Sequence, residues 1–329
     1  MSKLIIPLIL VLAVFSWAGS AAAEEAEGGY AGAFLQVPVG ARPTAMGGAY
    51  RSISSDGAGP LFNPAGLSGL TRPLFGSSYR VLKLDRKLGY VTGMFPIKNE
   101  AVLGVQWLYA GSGSVEARDT DGYLQGHEIS QNSHQFTILF AKQFERWLGV
   151  GANISYLQSY FSEIDANSVG FDFGVILYVE QLFDREKRDK LPVRDIQIGL
   201  TVRDLAKKFR WNSEDYVKKY TTGGLATEQE DEVPIEFGLG ASGRFFDRKL
   251  LLSTDLVKNS KQGPRFHAGA EYYLRKSFAL RSGFSDGRIT AGTGYLFEIK
   301  NHQLVVDYAF TTDKADEGSE HIFSFDLLF

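Results

Sequence analysis

The chain has no cysteine, little net charge and, beyond its first residues, no long hydrophobic run. Without cysteine there is no disulfide framework, thiolate metal site, cysteine nucleophile or lipid-modified N-terminal cysteine. A net charge of −3, from 35 Lys+Arg and 38 Asp+Glu, gives no basic field, so nucleic acid is not expected as a partner. The 329 residues do contain 36 glycines and 13% aromatics, which together favour an all-β chain.

The first residues have the pattern of a secretory signal peptide. Lys3 is followed by an apolar stretch from Leu4 to Phe15, and the small residues at 21–23 offer a cleavage site. We therefore expect residues 1–23 to be removed on export. After Ala23, no apolar stretch approaches the ~20 residues of a membrane-spanning helix. A soluble exported protein and an outer-membrane barrel remain.

From residue 73 onward the chain alternates apolar and polar residues with a period of two. At the C-terminus, Phe323, Phe325 and Leu327 share one face, whereas Ser324 and Asp326 share the other. The segments are longer than the roughly five or six residues of an ordinary strand and match the ten or so that cross a bilayer. Fourteen are predicted: 73–82, 87–97, 100–110, 130–142, 146–161, 167–181, 194–204, 233–246, 248–258, 264–275, 277–285, 287–298, 302–312 and 319–329.

This pattern predicts an all-β fold, an antiparallel transmembrane barrel of about fourteen strands covering residues 73–329. A β-sandwich would carry more charge on its outer face and use shorter strands. The terminal Phe329 is similar to the C-terminal signal that the outer-membrane assembly machinery reads. We therefore expect the outer membrane of a Gram-negative bacterium, with its lipid and that machinery as partners.

Residues 24–72 do not alternate and are rich in small residues. Pro60 and Pro64 fix turns between short elements. The glycines do not form a phosphate loop, because no lysine follows at the required spacing. We expect this segment to fold as a small N-terminal plug, or hatch, inside the barrel.

Two motifs in this segment resemble a known family. The run G-A-R-x-x-A-M-G-G-A at 40–49, an Asp seven residues later and N-P-A-G-L at 63–67 are similar to the N-terminal signature of PorV/PorQ-type proteins, within the FadL-like outer-membrane barrels. The resemblance implies a fourteen-stranded barrel with an internal hatch. It maps these residues to the hatch: Gly40, Arg42, Met46, Gly47, Gly48, Asp56, Asn63, Pro64 and Ala65.

Charged residues on the polar strand faces are expected to point into the lumen. They are Asp172, Arg203, Glu236, Asp255, Glu271, Arg281, Asp307 and Asp326. Each of them can be explained as one of the polar side chains that ordinarily line a barrel interior. A sharper hypothesis is that Arg42 pairs with one or more of the acids and fixes the hatch by charge-assisted hydrogen bonds.

Nothing in the sequence indicates catalysis. The five histidines show no metal-ligand spacing, and Ser133 and His134 point to opposite faces of a strand. No metal, cofactor or enzymatic activity is expected.

Two functions remain open. The first is passive binding and uptake of a hydrophobic small molecule, with entry near the loops 111–129 and 205–232. In that case Phe209 and Trp211 would contact the solute, whereas the plainer interpretation of 205–232 is a solvated loop. The alternative is an accessory or platform for protein secretion of the type IX kind. There, the loops or the charged turn 182–193 would hold secretion-system proteins.

Overall fold

The computed structural model describes residues 31–329 except 84, 99, 119–120, 162–163, 185, 187, 189–190, 215–216, 218–227, 286 and 313–317. The predicted signal peptide lies outside the described residues. Strands dominate, and their bounds are β1 (Leu74–Val81), β2 (Lys87–Ile97), β3 (Ala101–Gly111), β4 (Val115–Arg118), β5 (Leu124–Ile129), β6 (Gln131–Glu145), β7 (Leu148–Phe161), β8 (Ile164–Tyr178), β9 (Arg194–Leu205), β10 (Lys208–Asn212), β11 (Glu228–Glu232), β12 (Glu236–Phe245), β13 (Leu250–Asn259), β14 (Arg265–Arg275), β15 (Phe278–Ser285), β16 (Arg288–Ile299), β17 (His302–Thr312) and β18 (Ser319–Leu328).

Fourteen of these strands close into one antiparallel barrel, as predicted. Each wall strand pairs with its neighbour along the chain, and the seam is made by β1 with β18. The seam ladder runs from Leu74 opposite Leu328 to Arg80 opposite Ile322. Because the ring is closed, no wall strand presents a free edge.

The barrel wall is apolar outside and polar inside. On β3 and β6, the outward Val105, Phe136 and Ile138 are exposed, whereas the inward Gln106 and Thr137 are buried. A soluble protein would bury the first set, so this arrangement is the one expected for strands that face lipid. No helix among the described residues is long and apolar enough to span a bilayer.

Residues 31–72, called the hatch from here on, lie inside the barrel. The hatch consists of 3₁₀ turns at Ala33–Gln36, Gly59–Leu61 and Pro64–Leu67 and a short helix at Ala41–Ala45. The helix packs against β15 to β18, and the Pro64–Leu67 turn packs against β6, β7 and β8 on another part of the wall. The hatch therefore reaches across the lumen.

Both predicted long loops contain strands that the sequence analysis missed. In 111–129, β4 and β5 form a separate hairpin. In 205–232, β10 pairs with β11 and also with β8, where Arg210 lies opposite Asn167. This second segment therefore extends the wall beyond the end of β9 as paired strands and not as a loop, although most of its charged side chains are exposed to solvent as predicted. We call the end of the barrel that carries both hairpins the hairpin end.

Candidate functional site

Glycines on the inward face of the wall let the hatch lie directly against the strands. A Cβ atom built on Gly283 would overlap the backbone of Gly47, and one on Gly151 would overlap the backbone of Pro64. Gly47 itself has φ 63°, a conformation that L side chains rarely adopt. The glycine-rich polar faces of the strands are therefore the surface on which the hatch rests.

This close contact gives a first prediction. Gly283→Ala places a methyl group where the Gly47 backbone lies, so the hatch must move. Overpacking of this kind costs about 1–3 kcal/mol. We expect faster proteolysis of the hatch in the folded barrel. Gly89→Ala is the control, because its Cβ comes no closer than 4.0 Å to the Tyr109 ring. Equal proteolysis rates in the two variants would contradict the prediction.

Asn63 of the N-P-A motif ties the hatch to the wall and to itself. Its side-chain Nδ2 donates to the Arg51 carbonyl oxygen at 2.7 Å and to the Val175 carbonyl oxygen of β8 at 3.2 Å. Its Oδ1 accepts the backbone N–H of Ala65 at 3.0 Å, which caps the turn. Asn63 is fully buried, so an apolar substitute would leave these backbone groups without their partner.

Arg42 lies at the centre of one buried ion cluster. Its Nε and Nη2 donate to the two oxygens of Glu271 at 2.8 and 3.0 Å, and its Nη1 reaches Asp56 at 3.4 Å. Arg281 bridges the same Glu271 to Asp307, at 2.8 and 2.6 Å. Burial acts against the charge of Arg42, but Glu271, Asp56 and two neighbouring tyrosines together outweigh it and raise the pKa of Arg42 above the ordinary value. The structure thus places the hatch arginine in bidentate contact with a wall carboxylate.

A second cluster surrounds Arg51, a hatch residue that the sequence analysis did not select. Its Nη2 is 2.5 Å from Glu236, and its Nη1 is 3.2 Å from Asp255. Asp255 also accepts the backbone N–H groups of Tyr50 and Arg51, at 2.8 and 3.0 Å. All three of these donors to Asp255 belong to the hatch, so this wall carboxylate acts as an anchor for it.

A third cluster lies in the wall where β9 ends. The ammonium of Lys207 is 3.3 Å from Asp172 and 2.6 Å from Asp204, and its stem fills the space beside Gly170. Burial opposes the charge of Lys207, but Asp172 and Asp204 outweigh it and raise its pKa. Asp204 and Ala206 have positive φ, and the β8–β9 register shifts nearby. This irregularity turns Lys207 inward, which no period-two pattern could reveal.

Two further predicted residues, Asp326 and Phe329, lie near the seam of the barrel. Half-buried Asp326 accepts the Gly57 backbone N–H at 3.1 Å, a further contact between wall and hatch. The carbonyl oxygen of Phe329 accepts from Nε of Arg72 at 2.8 Å, and its ring packs edge-on against Phe75 with centroids 5.5 Å apart. The terminal residue is thus fixed to the start of the first strand.

Above the hatch, at the hairpin end, lies a large cavity inside the barrel. We call it the mouth cavity, and its volume is about 460 Å³. The hatch contributes Phe34 and Val37, and the wall contributes Leu88 and Ala110. The β10 strand adds Phe209 and Trp211, whose rings stack at 5.8 Å. The alternation of Lys208-Phe209-Arg210-Trp211 was the available sequence signal for this strand.

The arrangement suits the binding of an apolar molecule. Volumes of about 300–1,000 Å³ with hydrophobic and aromatic walls are typical of small-molecule sites. Below the cavity, the hatch and its ion clusters fill the lumen. A molecule that enters from the hairpin end therefore meets the side chains of the mouth cavity first, and the hatch with its ion clusters afterwards.

Comparison with known proteins adds a likeness of fold. No protein-family model matches the chain, and no curated protein matches it. Among solved structures, the Pseudomonas putida toluene transporter TodX has 14% identity and a TM-score of 0.57, covering 87% of this chain and 96% of that one. The CymD monoaromatic hydrocarbon channel has 12% identity and a TM-score of 0.60, covering 89% and 97%.

A Pseudomonas aeruginosa FadL homologue is a further neighbour, with 11% identity, a TM-score of 0.55, and coverage of 89% of this chain and 98% of that one. Identities this low establish likeness of fold. The chain therefore has the FadL-like fold, a fourteen-stranded barrel around an internal N-terminal hatch.

Proposed function

We propose that the protein is an outer-membrane channel for the passive uptake of a hydrophobic small molecule. The observation that carries this proposal is the mouth cavity, which lies above the hatch and has Phe34, Phe209 and Trp211 in its lining beside polar side chains. The apolar outer wall supports placement in a membrane. The neighbours named as toluene and monoaromatic hydrocarbon channels supply the class of solute to be tested.

Filling the mouth cavity is the direct test. Ala110 of β3 lines the cavity, so Ala110→Trp places an indole where the solute would bind. We expect uptake of radiolabelled toluene by Gram-negative cells that express this variant to fall at least fivefold. Val105→Trp on the lipid-facing side of the same strand is the control, since Val105 is exposed and distant from the lumen. Undiminished uptake by the Ala110→Trp barrel would count against the proposal.

The secretion alternative gains no support from the described residues or from the structural neighbours. It predicts a barrel that purifies with large exported proteins and without a bound small molecule. Native mass spectrometry of the detergent-purified protein separates the two functions. A hydrophobic molecule bound to the unsubstituted protein and lost from Ala110→Trp supports uptake.

A further inference from the structure

A groove runs along the outer side of the barrel wall, and we call it the wall groove. Its volume is about 510 Å³. The outward side chains that line it form two rows across the four neighbouring strands β8, β9, β12 and β13. The row nearer the hairpin end is Phe173, Val202, Phe237 and Lys258, and the other row is Val175, Leu200, Leu239 and Leu256.

The groove follows β9 because the side chains on both sides of that strand are larger. Val202 lies opposite Phe173 of β8 and opposite Phe237 of β12. The two phenylalanines are 50% and 55% exposed, so their rings stand out from the wall on either side of the valine. Neighbouring strands are about 4.8 Å apart, which puts the backbones that carry the two rings about 10 Å apart. This spacing leaves room for a single extended hydrocarbon chain.

Lys258 is the one charged side chain among the residues that line the wall groove. It is exposed, and it makes no ion pair with any of the described residues. A lysine on the lipid face of a barrel is costly at the bilayer midplane and nearly without cost at the interface. We therefore place Lys258 at the level of the lipid head groups, where an anionic head group is the available partner.

The acidic side chains of β11, the strand before β12, are placed elsewhere. Glu230 and Glu232 pair with cations of β10 at 2.9 and 2.7 Å. Asp231 lines the mouth cavity, and Glu228 lies at the end of β11 that is farthest from β12. Within its own row, the neighbour of Lys258 is Phe237. The positive charge at this end of the groove is therefore not compensated by the wall.

The position of Lys258 along the barrel identifies the leaflet. Outer-membrane barrels have long loops outside the cell and short turns in the periplasm. The hairpin end carries the β4–β5 hairpin and the β10–β11 extension, so it is expected to face outwards. The Lys258 row then lies in the outer leaflet, whose lipid in Gram-negative bacteria is lipopolysaccharide. Its lipid A part carries phosphate groups above several acyl chains.

We propose that the wall groove is a binding site for lipopolysaccharide. One acyl chain lies along β9 between Phe173 and Phe237, and a phosphate of lipid A pairs with Lys258. The site is on the outside of the barrel, so this inference goes beyond the proposed uptake function and does not rest on it.

Three lipids test the site on the unsubstituted, detergent-solubilised protein by native mass spectrometry. They are lipid A, the same lipid A without its phosphates, and phosphatidylglycerol. We expect lipid A to bind about fivefold more tightly than the dephosphorylated form, which is the contribution of one lysine to the binding of an anionic lipid. We expect it to bind at least about twofold more tightly than phosphatidylglycerol, because it offers two phosphates to the one lysine.

A lysine variant assigns the head-group contact. Lys258→Gln should lower the affinity for lipid A about fivefold and leave that for the dephosphorylated form unchanged. Lys142→Gln is the control, because Lys142 is a lysine of the wall near the other end of β6 and does not line the groove.

A second variant assigns the acyl-chain contact. Val202→Trp places an indole between the two phenylalanines, so we expect affinity for both forms of lipid A to fall at least about fivefold. Val105→Trp makes the same change at an exposed position of β3 and should have no effect.

The remaining outcomes each overturn the inference. Equal binding of both forms of lipid A removes the phosphate contact, and equal or tighter binding of phosphatidylglycerol removes the assignment to lipopolysaccharide. Equal losses in the groove variants and their controls would mean that lipid covers the wall without a defined site. None of these results affects the uptake function, which Ala110→Trp tests. The comparison of lipids uses the unsubstituted protein, so it holds even if a variant does not fold.

Discussion

Arg42→Met should loosen the hatch strongly. The change removes a bidentate contact to Glu271 and a contact to Asp56, and it leaves Glu271 with Arg281 alone. Removing one partner of a buried pair costs about 3–5 kcal/mol. Local opening of the hatch would therefore become at least about 100-fold more frequent, since each 1.4 kcal/mol is tenfold. Amide hydrogen exchange of residues 40–58 measures this directly.

A surface arginine provides the control for that experiment. The Arg118 side chain is 58% exposed, and its Nη2 lies 4.0 Å from Glu116. Exposed pairs of this kind contribute about 0–1 kcal/mol, so Arg118→Met should leave hatch exchange unchanged. If Arg42→Met exchanges at the rate of Arg118→Met, then the glycine contacts and Asn63 hold the hatch without help from this ion cluster.

Deleting residues 24–70, which include nearly all of the hatch, should convert the barrel into an open pore. The wall closes without the hatch, because β1 pairs directly with β18. The exposed lumen would be lined by polar and charged side chains such as Glu236 and Glu271, and such a surface admits water. We expect stepwise conductance in planar bilayers, where the full chain gives none.

The open pore should also select for cations. The hatch contributes Arg42 and Arg51, so its removal leaves Glu271 with less positive charge nearby and takes every hydrogen-bond donor seen in the structure from Asp255. Acidic linings favour cation passage. Deletion of the β4–β5 hairpin, which pairs only with itself among the described residues, is the control and should stay closed. A hatch deletion that remains closed would show that other segments block the lumen.

The three ion clusters and the glycine contacts explain why the proposed solute is expected to stop above the hatch. Passage through the centre would require an apolar molecule to cross a layer of buried charge, which is unfavourable. Under the proposed function, we expect affinity for the solute to depend on Phe209 and Trp211 at the hairpin end. We therefore expect hatch stability and solute binding to be separate properties, which the Arg42→Met and Ala110→Trp variants measure independently.

The sequence by itself determined the fourteen wall strands and the location of the hatch in the chain. Dyad alternation such as Phe323, Phe325 and Leu327 is a local signal, because neighbouring side chains of a strand must point to opposite faces. The same alternation predicted that the side chains of Glu271 and Asp307 point into the lumen. The loss of alternation before residue 73, together with its small residues, marked the segment that lies inside.

Only the tertiary structure decided which inward residues meet. The sequence analysis predicted eight inward charged residues, six of them acids, as possible neighbours of Arg42. Its contact with Glu271 follows from barrel closure and from the path of the hatch across the lumen. Lys207 turns inward because the β8–β9 register shifts at the end of β9. The mouth cavity is likewise formed by residues far apart in the chain, from the hatch, the wall and β10. These are consequences of long-range closure, and a period of two along the chain carries no information about them.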